Sequence, residues 1–101
     1  MEQNQSITQS GTRYKERYPA MYDVIFHNDD VTTMEFVVKV LQNVFFKTED
    51  EATQIMLDVH VNGEAVAGTY GYDIAHSKAD KATEMDRLEG FPLLITVHQK
   101  L

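Results

Sequence analysis

There is no cysteine in the 101 residues of this chain, which excludes disulfides, thiolate metal sites and a cysteine nucleophile. The same absence suits a reducing cytoplasm, where the chain is expected to reside. No apolar run approaches the ~18–20 residues that a membrane span needs. The N-terminus is rich in Gln, Ser and Thr and has no apolar h-region, so no secretory signal is expected. Glycine is sparse: Gly63, Gly68 and Gly71 are scattered at turns and strand ends, and they build no phosphate-cradling loop. Serine is confined to Ser6, Ser10 and Ser77, none of them on a nucleophile elbow. Basic residues are outnumbered, giving a net charge of −7. Arg13, Lys15 and Arg17 outweigh Glu2 and Glu16 near the N-terminus, so the negative excess belongs to the rest of the chain. Nucleic acid calls for clustered Lys and Arg and is not a fitting partner; a cationic one is.

What is present organises into one domain. Residues 1–19 are polar and cannot bury enough apolar surface to offset the entropy of ordering, so they read as a disordered N-terminal arm. Residues 20–101 read as the folded domain. Tyr22, Val24 and Phe26 alternate with polar positions, the pattern of a half-buried strand to about His27. Phe36, Val37, Val40, Leu41, Val44 and Phe45 then form one stripe of a helix from Thr33 to about Phe46, with Thr32 and Glu35 as its capping box. Thr48 and Glu51 make a second capping box, opening a helix whose inner face is Ala52, Ile55, Met56 and Val59. The pair Asn62-Gly63 signals a turn into a strand from Ala65 to Tyr70. A third helix covers about Tyr72 to Leu88, with Ile74, Ala75, Ala79, Ala82 and Met85 inward. Gly90 and Pro92 end it, and Leu93 to Val97 forms the last strand. The order β-α-α-β-α-β predicts an α+β fold, with helices on one face of a small three-stranded, mainly antiparallel sheet.

The chemistry concentrates in His27-Asn28-Asp29-Asp30, a run of short polar acceptors between the first strand and the first helix. His27, Asp29, Asp30, Asp58 and His60 could suggest a metal site, but no paired-histidine spacing supports one, and no metal or other cofactor is expected. Capping and turn roles explain part of the run: Asp30 is read as the structural acid, leaving Asn28 and Asp29 to face a ligand. An amide oxygen at Asn28, a carboxylate at Asp29 and an imidazole nitrogen at His60 make three acceptors, which match the three N–H bonds of an ammonium group. Met34, Val37, Met56 and Val59 could line an apolar pocket beside them, though ordinary core packing explains each one taken alone. These features favour a binding protein over an enzyme.

The joint pattern Asn28-Asp29-Asp30, Thr32, Met34-Glu35-Phe36-Val37, with Ala52-Thr53-Gln54-Ile55-Met56-Leu57-Asp58-Val59-His60 and Gly63, resembles the ClpS family. That family comprises the bacterial adaptors that deliver N-degron substrates to a Clp AAA+ unfoldase for degradation. The resemblance runs from about Tyr22 to Val97. It implies that Asn28, Asp29 and His60 bind the free α-amino group of a substrate. It implies too that Phe26, Thr32, Met34, Val37, Met56, Val59 and Leu93 surround a first side chain that is Phe, Tyr, Trp or Leu. Docking to the unfoldase N-domain is implied for Asp73 and Lys78, and the N-terminal tail becomes an arm that engages the unfoldase. Two positions depart from the family pattern: Thr33 stands where proline is common, and Asp73 where glutamate is usual. The element order is also similar to that of the C-terminal domain of the ribosomal stalk protein, a factor-recruiting module without an amino-group site. A metal-dependent enzyme using His27, Asp29 and His60 is the third reading.

Overall fold

The structure, a computed structural model, describes residues 20–101; the arm read at residues 1–19 lies outside them. Six elements follow one another: β1 (Tyr22–His27), α1 (Met34–Asn43), α2 (Glu49–Asn62), β2 (Glu64–Tyr70), α3 (Tyr72–Glu89) and β3 (Leu94–Gln99). The sheet order is β2-β1-β3, and both pairings are antiparallel. The predicted α+β order is therefore observed, with β1 as the central strand. Alternation along β1 turns Val24 and Phe26 toward the helices, where both are fully buried. Burying a side chain such as Phe26 contributes roughly 1.5–3 kcal/mol. Its ring meets Phe45 edge-on at 5.5 Å, while Phe36 packs against Phe91 at 5.1 Å. On α3, Ala75, Ala79 and Ala82 form a buried stripe of small residues that lets this helix lie close to the sheet. No helix among the described residues is long and apolar enough to cross a membrane.

Several local readings shift. The cap of α1 is Thr33, whose hydroxyl accepts from the Phe36 N–H at 3.2 Å, so the capping box expected from Thr32 and Glu35 does not form. The cause lies upstream, where Asp29 takes both the N–H and the hydroxyl of Thr32 and keeps that residue in the loop. A proline at position 33 could supply no such side-chain cap, so the departure at Thr33 gives α1 a hydrogen bond of its own. At its far end α1 stops at Asn43 because the chain turns back through Phe46, which has φ 55°, and Lys47 donates to the Leu41 carbonyl. Val44 and Phe45 remain buried beyond the helix end. Ile74, expected inward, is 56% exposed. It lies one residue, about 100° of helix, off the alanine stripe, whose next inward position is taken by Asp86.

The second capping box forms as predicted between Thr48 and Glu51. At the other end of α2, Gly63 adopts φ 89° and donates to the Val59 carbonyl. Its own carbonyl accepts from the Asn28 N–H at 2.8 Å, which fastens the end of β1 to the end of α2. A Cβ at Gly63 would meet nothing within 4 Å, so any substitution acts through backbone conformation alone. Gly63→Ala is therefore expected to lower stability by about 1–2 kcal/mol. Equilibrium urea unfolding reads this directly, and an unchanged midpoint would contradict the role given to the left-handed cap.

Candidate functional site

β1 delivers Asn28 at the sheet rim, and the Asn28–Gly63 bond brings the last turn of α2 beside it. Between these two elements and the start of α1 lies a cavity of about 250 Å³. It is lined by Asn28, Asp29, Asp30 and Thr32 from the loop, Met34 and Val37 from α1, and Met56, Val59 and His60 from α2. The structure thus brings together the three proposed acceptors and five of the seven proposed pocket residues. Phe26 and Leu93 do not line this cavity: both are buried in the core, at 0% and 5% exposure. Val37 and Val59 form the buried floor, whereas Met34 is 45% exposed at the rim.

Of the two neighbouring aspartates, Asp29 rather than Asp30 forms the turn, and both line the cavity. The Asp29 Oδ1 accepts from the N–H groups of Val31 and Thr32 at 2.8 and 2.7 Å, and its Oδ2 accepts from the Thr32 hydroxyl at 2.8 Å. Local geometry explains the preference: a carboxylate at the start of a tight turn reaches donors two and three residues on. Partial burial raises the Asp29 pKa, but the hydrogen bonds from Thr32 and Val31 outweigh it and hold the carboxyl below its usual range. Asp29 is therefore anionic at neutral pH, with one Oδ2 lone pair left for a ligand. Asp30, its exposed neighbour, lines the cavity as a second carboxylate.

The carboxylates that line the cavity, Asp29 and Asp30, face no cationic side chain there: among the described residues no lysine or arginine lines it. The C-terminal end of α2, which carries partial negative charge, opens onto the same rim. A third carboxylate, Asp86 on α3, contributes from within the core. It is 1% exposed, its Oδ1 accepts from the Leu93 N–H at 3.3 Å, and its charge repels that of Asp29. Sequence reading missed Asp86 because it continues an otherwise apolar stripe. Acidic and other acceptor side chains thus share the cavity with the apolar residues Met34, Val37, Met56 and Val59.

His27 takes no part in it. Strand alternation turns its ring to the opposite sheet face, where Nε2 lies 2.8 Å from the Thr96 hydroxyl and Nδ1 lies 3.5 Å from Glu64. The metal-dependent reading through His27, Asp29 and His60 is thereby separated in space. Among the described residues no three His, Cys, Asp or Glu side chains gather as ligands.

The docking residues expected on α3 sit elsewhere. The Lys78 ammonium donates to the Val44 carbonyl at 2.7 Å, satisfying the end of α1, and lies 4.6 Å from the Phe46 ring centroid. Phe46 is 77% exposed and holds a left-handed backbone, uncommon for an aromatic residue. Val44, Phe46, Ile74, Ser77, Lys78 and Lys81 enclose a second cavity of about 210 Å³. Asp73 is exposed in the first turn of α3, one turn before Ser77. The positive φ at Phe46 has no local sequence signal, which is why its place beside Lys78 was not foreseen.

Residues 17–96 match the family model described as ATP-dependent Clp protease adaptor protein ClpS. A ClpS adapter of Desulfatibacillum aliphaticivorans is 52% identical over 79 residues, covering 78% of this chain and 76% of the relative. That of Desulforapulum autotrophicum is 43% identical over 93 residues, 92% of this chain and 89% of the relative. Among solved structures, ClpS2 of Agrobacterium tumefaciens bound to L-phenylalaninamide superposes with a TM-score of 0.79 at 40% identity, covering 82% of this chain and all of that one.

Burial raises the Asp86 pKa more than the bond from Leu93 lowers it, and the charge of Asp29 raises it further. Between the free carboxylate value and this raised one, the folded state holds the proton that the unfolded state has released. Stability therefore falls as pH rises through that window. Asp86→Asn removes the penalty while keeping an oxygen for the Leu93 N–H. Its melting temperature is expected to exceed the parent's at pH 7 and to converge with it near pH 4. Thermal scans across that range test this; a variant less stable at every pH would contradict it.

Proposed function

This chain belongs to the ClpS family, adaptors of ATP-dependent Clp protease rather than enzymes themselves, and we propose that its rim cavity captures the N-terminus of N-degron substrates for a Clp AAA+ unfoldase. The observation that carries this reading is that Asn28, Asp29 and His60 line the same cavity as the apolar Met34, Val37, Met56 and Val59. The phenylalaninamide bound to the similar ClpS2 has the same two parts, a free α-amino group and an aromatic side chain.

An α-amino group has a pKa of ~7.7–8 and is mostly cationic at neutral pH. The Asn28 amide oxygen, the remaining Asp29 lone pair and the His60 ring accept its three N–H bonds, each hydrogen bond to a charged group contributing roughly 1.5–3 kcal/mol. Asp30 adds a second negative charge nearby. The first side chain enters the apolar cup. A cavity of ~150 Å³ accommodates benzene, so the volume here admits the side chains of Phe, Tyr, Trp or Leu. A β-branched side chain, stiff at χ1, meets Met34 at the rim. Thr32, fixed by Asp29, closes the cup on the loop side; Phe26 and Leu93 would support it from the core.

Unfoldase docking belongs on the α3 corner, with the N-domain as the partner. Asp73 and Lys78 would act there together with Phe46 and Ile74, which add the exposed apolar surface that an interface core needs. Lys78 has a prior task, holding the end of α1, so its removal acts on shape as well as charge. A factor-recruiting module of the ribosomal-stalk kind would have no use for the acceptor set.

Three outcomes test these assignments. In fluorescence anisotropy, a Phe-started peptide is expected to bind, while its acetylated form and an Ile-started form bind at least tenfold more weakly; equal binding of all three would refute the site. His60→Ala removes one acceptor while leaving those of Asn28 and Asp29 in place. Affinity for the Phe-started peptide is therefore expected to fall severalfold, and an unchanged value would remove His60 from the acceptor set. Phe46→Ala is expected to weaken capture by the unfoldase N-domain severalfold while leaving peptide affinity intact. Loss of peptide binding instead would place Phe46 in the wrong site.

A further inference from the structure

A second groove adjoins the rim cavity. Met34 and Met56 line both, so one wall of two methionine side chains separates a space of about 250 Å³ from one of about 320 Å³. Glu35 and Val38 of α1 and Glu49 and Thr53 of α2 complete the second space. Its lining combines apolar Met34, Val38 and Met56 with the carboxylates of Glu35 and Glu49, and among the described residues no lysine or arginine lines it. Glu35 and Glu49 stand on different helices, and both line this space.

We propose that this groove is a subsite for the third residue of the substrate, selecting a long cationic side chain, arginine or lysine. The inference rests on the reading of the rim cavity as the first-residue pocket. In an extended chain, successive side chains alternate, and those of the first and third residues point the same way about 7 Å apart. That spacing is about the thickness of a methionine wall. With the first side chain in the cup, the third descends on the far side of Met34 and Met56. The occupant's chemistry follows from the lining. An aliphatic stem lies along Met34, Val38 and Met56, and the charged head reaches Glu35 or Glu49 while keeping contact with water. Arginine fits better than lysine, because its guanidinium is more weakly hydrated and meets a carboxylate with two parallel donors.

Long-range attraction must be separated from this contact, since a chain of net charge −7 draws any basic peptide. Anisotropy with Phe-started peptides that carry arginine at the third position, at the sixth position, or nowhere makes that separation. Arginine at the third position is expected to bind about three- to fivefold more tightly than alanine there, the size of an exposed charge contact. At the sixth position the gain is expected to be under twofold. The third-position gain is expected to vanish in Glu35→Gln/Glu49→Gln, with affinity for the arginine-free peptide unchanged. Equal gains at both positions, or a gain that survives the double substitution, would assign the effect to the acidic body and overturn the subsite. If all three peptides bind equally well, the subsite fails and the first-residue pocket stands. If none binds, the pocket itself fails.

Discussion

The hydrogen bond from the Asn28 N–H to the Gly63 carbonyl, 2.8 Å long, is the constraint on which the rest of this molecule depends. It extends the β1–β2 ladder one step past the His27–Glu64 pair, to the point where one chain segment leaves the sheet and the other arrives from α2. Because Gly63 takes a left-handed conformation, α2 ends there with its last turn facing the β1–α1 loop. His60 and Asn28, thirty-two positions apart in sequence, thereby share one rim. Without that fastening, the loop acceptors and the imidazole would belong to two independent edges. A cation site assembled from partial acceptors on several elements needs them held in fixed positions before the ligand arrives.

The loop is held by a second device, the Asp29 turn. Three donors from Val31 and Thr32 fix this carboxylate and keep it ionised, so the acid that shapes the turn also supplies charge to the site. α1 then connects the two surfaces of the protein. Its N-terminus carries Met34 at the rim cavity, and its C-terminal carbonyl at Val44 is held by Lys78 in the other corner. A helix of ten residues spans about 15 Å. That separation would leave the α3 corner open to a second protein while the rim cavity holds a peptide, as the proposed adaptor role requires.

Much of this was legible in the chain. Hydrophobic periodicity located all six elements, because apolar stripes at spacings of two and 3.6 follow from burial and little else. The box at Thr48 and Glu51 and the turn at Asn62-Gly63 are local chemistry, settled within four residues. The misreadings occur where neighbouring residues of one type compete. Thr32 and Thr33 could each cap α1, and Asp29 and Asp30 could each close the turn. The two choices are coupled: once Asp29 claims Thr32, the cap falls to Thr33. Nothing in the local spelling distinguishes the two outcomes. Ile74 was misplaced and Asp86 overlooked for a different reason, since an apolar residue beside the stripe and an acid upon it contradict the pattern used to find the helix. Phe46 was invisible because a left-handed aromatic residue is stabilised by tertiary partners, chiefly Lys78.

The central claim is that loop acceptors and the end of α2 form one amino-group site. Amide chemical-shift mapping during titration with phenylalaninamide tests it most directly. The account predicts progressive shifts confined to two segments, from Asn28 to Val37 and from Met56 to Gly63. Shifts in only one of them, or a pattern centred on the α3 corner, would contradict it.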